Sequence, residues 1–527
     1  MNNQPKQLGR NYSVFEDFVK DNRIYVDKTQ HIYNLITAPH ARHFYFVSRP
    51  RRFGKSLFLS TLYEIFSGKK ELFNEYWIGK NSNYDWQKHP IIQLDFSKIA
   101  HGNAQELKQS LCLALQKIAK NNAVKKLKIS APEDMLQDLV QALEANGKIV
   151  LLIDEYDKPI IDHITNISVA EENRAILNGF YATIKALESS WRAIFITGVS
   201  KFAKTSLFSG LNNLTELSFD PTVAELFGYT YEELLTYFPT QINDLAQQIS
   251  KTREETLADM KSWYDGYRFS KDMQKAQMYS PLSVVACLEK KEFSNYWFNT
   301  GTPGFLIALL REKGIALETQ EPIQLSMHSL DSIDIHNIPL YTLLLQTGYL
   351  TITDYDAETK GFTLDYPNQE VRDSFKYYIM QAFAYTTSEV VDMQLFNIRK
   401  ALANKDFEKF CNVIQTFFAG IPYDKQIERE AYYHSLLHLL FDLSGMSPRS
   451  EDHSSKGRAD LVLETANSII IFEFKLNSST QKALDQILEK KYYEKYLLKN
   501  KAIILIGMNF KFKEKKLEFD WLQKEAR

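Results

Sequence analysis

Arg49-Pro50-Arg51-Arg52-Phe53-Gly54-Lys55-Ser56 stands where a short apolar run hands over to a helical pattern. Before it, His43-Phe44-Tyr45-Phe46-Val47 reads as a buried strand; after it, Leu57 to Phe66 carries apolar residues at helical spacing. A Gly-Lys-Ser at a strand-to-helix junction is suited to holding phosphates. Gly54 lets the backbone approach an anion without a Cβ in the way, and the N–H groups at the helix start point toward it. Lys55 is expected to reach the terminal phosphates and Ser56 to offer its hydroxyl to Mg²⁺. The usual spacing asks for glycine where this chain has Arg49. Arg51 and Arg52 add cationic donors around the phosphates, and Arg49 is counted with them among the nucleotide-binding residues.

A phosphate loop of this kind needs an apolar strand ending in acid, and Ile149-Val150-Leu151-Leu152-Ile153-Asp154-Glu155 supplies it. Five consecutive apolar residues fit a strand buried on both faces of a parallel sheet. Asp154 is expected to hold the Mg²⁺ shell and Glu155 to orient the attacking water as base. Ile91 to Phe96 and Ala193 to Gly198 read as further strands, the second after a helical stretch from Ala170 to Glu188. Strands alternating with helices predict an α/β fold with a parallel sheet covered by helices. A strand inserted between the phosphate loop and the acidic strand is the arrangement of P-loop proteins that carry a catalytic glutamate. Thr197 has two readings, a polar sensor of the γ-phosphate or a capping hydroxyl.

Four blocks in order resemble the AAA-ATPase-like family of bacterial and archaeal proteins. They are Tyr25-Val26-Asp27-Lys28-Thr29, the stretch from Ser48 to Ser56, Leu152-Ile153-Asp154-Glu155-Tyr156-Asp157-Lys158-Pro159, and Thr197-Gly198-Val199-Ser200-Lys201-Phe202. An arginine-containing phosphate loop is usual in that family. The resemblance implies ATP binding and hydrolysis, with Lys55, Ser56, Asp154 and Glu155 in the roles above. It also implies that Asp27 and Lys28 lie near the nucleotide.

A second chemistry stands toward the other end. Gly457 to Glu464 and Ser468 to Lys475 are two β-rich runs joined by Thr465-Ala466-Asn467, which predicts a hairpin. If Glu464 pairs with Ile469, antiparallel register sets Asp460 opposite Glu473, and period-2 alternation puts Lys475 on the same face. Paired acids among apolar neighbours repel one another unless a cation or proton intervenes. Mg²⁺ or Mn²⁺ bound by Asp460 and Glu473 resolves the conflict, with Lys475 positioning or deprotonating a water. An ion pair between Asp460 and Lys475 alone is the plainer reading.

These residues resemble the PD-(D/E)XK nuclease superfamily, in the version found at the C-terminal end of AAA-ATPase-like proteins. The resemblance makes Asp460 the first acid and Glu473-Phe474-Lys475 the E-x-K element. It also implies an acid on a preceding helix, Glu430 before Glu428, and a glutamine on a following helix, Gln486. His434 reads as a hydrogen-bonding residue of a helix face rather than a ligand. Ala502 to Gly507 is expected to be the final strand of a small mixed sheet. The excess of Lys and Arg over Asp and Glu after Lys475 suits either a polyanion or a solvated surface.

Between the two centres, the stretch from Glu225 to about Glu318 is helical in pattern, interrupted by Trp263 to Phe269 and by Tyr296 to Gly301. Both aromatic blocks occur in the resembled family. Arg268 has two readings, a nucleotide sensor or part of an aromatic-packed turn, the second preferred. Leu340 to Gln346, Gly348 and two following β-rich runs suggest a helix plus hairpin of winged-helix type. Its Asp354, Asp356 and Glu358 argue against phosphate-backbone binding there. Helical pattern from Ala401 to Ile421 leads into the last segment.

The 527 residues suit about three domains. They are expected at 1–224 for the P-loop domain, 225–395 for the helical and winged-helix middle, and 396–527 for the nuclease-like domain. A net charge of −2 excludes a globally basic nucleic-acid binder, so affinity for nucleic acid must be local. Cys112, Cys287 and Cys411 give no disulfide framework. Without a signal-peptide core or an 18-residue apolar run, a cytoplasmic protein with no membrane partner is expected. The expected function is an ATPase coupled to a Mg²⁺-dependent nuclease acting on nucleic acid, DNA before RNA. The middle region is the expected contact for a second copy or a protein partner. The rival is a nucleotide-switched interaction protein whose nuclease-like domain binds without cutting.

Overall fold

A computed structural model describes residues 5–39, 43–124, 127–128, 130–201, 213–298, 306, 309–310, 323–330, 333, 336–422, 430–454, 457–513 and 516–526. Phe202, Asn299-Thr300-Gly301 and Glu428, named above, lie outside these residues. The chain divides into two compact units, Met1–Phe305 with Pro322–Arg372, and Leu306–Glu321 with Asp373–Arg527.

The first unit is built on five strands: β1 (Phe44–Ser48), β2 (Ile91–Asp95), β3 (Ile149–Asp154), β4 (Trp191–Gly198) and β5 (Thr215–Glu216). They run in the order β2-β3-β4-β1-β5, every neighbouring pair parallel. β1 and β3 are buried along their whole length, as their uninterrupted apolar sequences require once helices cover the sheet. The strand inserted beside the phosphate-loop strand is β4, which pairs with β1 on one side and β3 on the other. Register sets Ser48 beside Gly198 and Ile153 beside Ile196. The phosphate loop, Asp154 and Thr197 therefore share the carboxyl edge of the sheet, where ligands of open α/β sheets bind.

The same unit contains the helices Tyr231–Tyr237, Pro239–Gln248, Arg253–Tyr264 and Pro281–Lys290. Thr230 with Glu233, and Thr252 with Glu255, form reciprocal capping boxes at two of their starts. The helix Leu340–Thr347 ends at Gly348 in the left-handed region, at φ +90°. After it come β7 (Thr351–Asp356) and β8 (Gly361–Asp365), joined by β6 (Ile323–Ser326) in an antiparallel sheet of order β6-β8-β7. The expected helix and hairpin are thus present, with one more strand than the sequence suggested. Arg268 donates to the carbonyls of Met273 and Lys275, which makes it part of the packed turn.

Glu370 is wholly buried here, accepting from Ser283 Oγ at 2.7 Å and from the Trp297 amide at 2.5 Å. Burial raises its carboxyl to about 7. The folded state then binds the proton more tightly than the unfolded chain, where a glutamate titrates near ~4.3. Stability is expected to fall by about 3 kcal/mol as pH rises from roughly 4.3 to 7. Melting temperatures at pH 5 and pH 8 check this, and Glu370→Gln should flatten the difference.

The second unit holds β9 (Arg449–Ser454), β10 (Gly457–Glu464), β11 (Ser468–Leu476), β12 (Ala502–Lys513) and β13 (Lys516–Ala526) in the order β13-β12-β11-β10-β9. Only β11 and β12 are parallel, and the helix Thr480–Lys490 lies between them in sequence. The expectation that Ala502 to Gly507 is the final strand is corrected. That strand runs on to Lys513, and β13 follows it as an antiparallel partner. β13 mixes Lys and Glu with Leu, Phe and Trp, so its sequence reads as a solvated tail until β12 is there to pair with it. Ser388–Ala403, Phe407–Ala419 and Glu430–Leu443 are helices, with Phe410, Phe441 and Phe472 in mutual ring contact. Among the described residues no helix is long and apolar enough to cross a membrane.

Candidate functional sites

The phosphate loop leaves β1 and closes at Gly54, which caps the helix Lys55–Phe66 in the left-handed region at φ +95°. Arg52 is left-handed too, at φ +66°, a conformation that costs a residue with a Cβ about 1 kcal/mol or more. Lys55 is buried, and its Nζ donates to the carbonyls of Arg49 and Pro50, each at 2.9 Å. Burial pushes its ammonium below the usual range, while Asp154 and Glu155 pull the other way. Arg51 is half-buried and Arg52 exposed, so both stand at the surface of the loop.

Arg49 departs from expectation. Its side chain is 1 % exposed, and Nη1 donates to the carbonyls of Ser48 and Ser218. The guanidinium lies 4.3 Å from the Phe269 ring centroid and 5.2 Å from that of Phe227. It is a core cation braced by aromatic faces rather than a donor at the loop's outer surface, and burial lowers it to about 9. The sequence signal was the absence of a glycine, which cannot say where the replacing side chain points.

At the sheet edge, one carboxylate gathers the expected residues. Ser56 Oγ donates to Asp154 Oδ2 and Thr197 Oγ1 to Asp154 Oδ1, both at 2.6 Å. The Thr197 hydroxyl thus orients Asp154. The Glu155 amide also donates to Asp154 Oδ1, at 3.0 Å, and Glu155 is left-handed at φ +51°. A glutamate in that region is uncommon and points to a turn held for a purpose. Burial raises the Glu155 carboxyl, and Lys55 opposes this.

Sequence reasoning gave Asp157 no role, yet it is 1 % exposed and its Oδ2 accepts from the amides of Val199 and Ser200 and from Ser200 Oγ. Gly198 lies so close to Tyr156 that a Cβ there would come within 2.5 Å of its ring. The loops after β3 and β4 are therefore tied together. The signal available was Asp157's place in the quoted block.

An opening beside Gly54 is lined by Tyr25, Lys28, Phe53, Phe58, Tyr229 and others. Lys28 Nζ is held by both oxygens of Glu233, at 2.5 and 2.7 Å. Asp27 does not line this opening. Its carboxylate is engaged by Thr29 and by the Trp77 amide.

In the second unit, β10 pairs with β11 from Glu464 beside Ile469 to Leu461 beside Phe472, the register expected. Asp460 Oδ2 accepts from the Phe474 amide at 2.7 Å. Glu473 is 1 % exposed, and its Oε1 accepts from Lys475 Nζ at 2.9 Å and from Gln486 Nε2. Burial first, then the charge of Asp460, raises the Glu473 carboxyl to about 7. Asp460, Glu473, Lys475 and Gln486 are thus brought together from two strands and the helix Thr480–Lys490. Lys475 forms an ion pair with Glu473.

His434 pairs with the Asp460 carbonyl at 2.9 Å, a backbone contact as expected of a helix-face residue. Glu430 opens the helix Glu430–Leu443, but its side chain is outside the described residues. Tyr492 was missed: its hydroxyl lies 3.3 Å from Gln486 Nε2. Glu473 Oε2 is buried and, among the described residues, has no hydrogen-bond partner. An unpaired buried carboxylate oxygen beside a second acid fits a hard divalent cation. Among the described residues no three His, Cys, Asp or Glu side chains converge.

Residues 11–208 match the family described as "Predicted AAA-ATPase", and residues 428–520 match the PD-(D/E)XK nuclease superfamily. A protein of Azotobacter chroococcum mcd 1, "Uncharacterized protein in vnfD 5'region", is 33% identical over 506 residues, 93% of each chain. The P-loop geometry and the acid pair agree with both matches, and the chain belongs to the AAA-ATPase-like family and carries a PD-(D/E)XK nuclease superfamily domain.

Proposed function

We propose that this protein hydrolyses ATP in its first unit and cleaves phosphodiester bonds of nucleic acid in its second, the nucleotide state controlling the cleavage. The convergence of Asp460, Glu473, Lys475 and Gln486 around a buried carboxylate with one unpaired oxygen carries the reading. Asp460 and Glu473 would hold Mg²⁺ or Mn²⁺, which when bound supplies stabilisation of charge developing on phosphate. Lys475 holds a water for attack on phosphorus, and Gln486 keeps Glu473 turned toward the centre. Glu430 is assigned the third acid.

In the first unit, Lys55 and the loop amides bind the terminal phosphates, with Arg51 and Arg52 adding cationic donors at the surface. Ser56 and Asp154 would hold Mg²⁺, and Glu155 orients the attacking water. The opening beside Gly54 takes the base and ribose, with its aromatic rings as stacking faces. DNA is preferred to RNA as the polymer. The helix and hairpin of the middle, a winged-helix-like element with an acidic hairpin, is assigned to protein contact or a second copy. The three segments 1–224, 225–395 and 396–527 remain the proposed functional division, in a cytoplasmic setting.

A second reading is a nucleotide-switched protein whose nuclease-like unit binds without cutting. Incubating labelled DNA and RNA with the protein, with and without ATP and Mg²⁺, separates the two. Metal-dependent cleavage that responds to ATP supports the proposal; retention of polymer with no cleavage in Mg²⁺ or Mn²⁺ supports the second reading.

A further inference from the structure

We propose that Trp297 is a positioning residue for the phosphate loop, aiming a backbone N–H of that loop at the nucleotide's phosphates. The inference rests on the reading of the Lys55 loop as the nucleotide site. Between β1 and the helix Lys55–Phe66 the loop has no ladder or helix to hold it, and two of its residues, Arg52 and Gly54, are left-handed. Such a conformation persists only where its surroundings determine it.

One determinant is the indole of Trp297, whose Nε1 donates to the Arg51 carbonyl at 2.8 Å. The peptide unit joining Arg51 to Arg52 is planar and trans, so its C=O and N–H point in opposite directions. Holding the carbonyl on Trp297 turns the Arg52 N–H to the other side of the loop. Successive N–H groups in a turn of this kind form a concave anion cradle. A donor on the carbonyl also polarises the amide, which strengthens its N–H as a donor.

Trp297 is itself held tightly. It is 5 % exposed, its amide is bound by the buried Glu370, and its ring meets Tyr349 and Tyr267 edge-on. On the same side of the loop, Gly348 lies so close to Pro50 that a Cβ there would stand 2.7 Å from the proline ring. Phe53 is packed edge-on against Tyr267 and Phe269. These residues thus meet the loop at Pro50, Arg51 and Phe53, and of the three contacts that of Trp297 is a side-chain hydrogen bond to its backbone.

The test compares wild type with Trp297→Phe, which keeps a ring and loses the donor. Affinities for inorganic tripolyphosphate, ATP and adenosine are measured by calorimetry on the full chain, alongside KM and kcat for ATP. Tripolyphosphate and ATP should bind roughly tenfold more weakly, with adenosine affinity and kcat within about twofold. Equal losses for adenosine and tripolyphosphate, or no loss for either, overturn the assignment. Should Trp297→Phe unfold, 3-benzothienylalanine at position 297 keeps the bicyclic shape while sulfur replaces the N–H, and the same outcomes apply. Wild type that binds neither tripolyphosphate nor ATP overturns the nucleotide reading first, and this inference with it.

Discussion

Asp460→Asn is expected to lower metal-dependent cleavage by roughly a thousandfold or more while leaving the second unit folded. The amide oxygen of asparagine can still accept the Phe474 N–H that Asp460 Oδ2 takes at 2.7 Å, so β10 and β11 keep their contact. What disappears is one of two negative charges that attract a cation. Glu473→Gln should lower cleavage to a similar extent and in addition raise stability. In the wild type the Glu473 carboxylate is buried, raised to about 7 and half unpaired, so at pH 8 without metal its charge is a cost. The neutral amide should raise the melting temperature under those conditions, and added Mg²⁺ should stabilise wild type but not the variant. Equal cleavage by both variants and wild type would remove the centre from Asp460 and Glu473.

Lys55→Ala should reduce ATP turnover by roughly a hundredfold to a thousandfold, the loss typical of deleting a donor aimed at transition-state charge. Two effects combine. The ammonium is absent from the terminal phosphates, and the carbonyls of Arg49 and Pro50 lose the cation that binds them, so the loop itself loosens. Phosphate release measured beside nucleotide affinity tells these apart: a KM effect reports the loop, a kcat effect the charge. If nucleic-acid cleavage in Lys55→Ala persists at the wild-type level with ATP present, the proposed control of the second unit by the first is lost. Unchanged turnover would displace Lys55 from the engine altogether.

Features carried by local spacing were legible without coordinates. The loop from Arg49 to Ser56, the strand ending in Asp154 and the hairpin around Thr465-Ala466-Asn467 each depend on a few consecutive residues, and each took the expected form. Gln486 was found by family resemblance, because nothing in its own helix distinguishes it from a solvated glutamine. The burial of Arg49 was not legible because its aromatic faces, Phe227 and Phe269, lie far along the chain. Glu370 escaped notice for a similar reason: its partners Ser283 and Trp297 precede it by 87 and 73 residues. Long-range pairing of this kind leaves no periodic trace, so a buried acid and an exposed one look alike in sequence.

Asp157 joins the turn that carries Glu155 to the backbone of Val199 and Ser200, and the next residue, Lys201, donates its amide to Gln346 Oε1 at 2.8 Å. Gln346 belongs to the helix Leu340–Thr347, which leads directly into β7. If Glu155 orients the attacking water as proposed, these contacts link its turn to the acidic hairpin like a crank, so that a shift at one end is felt at the other.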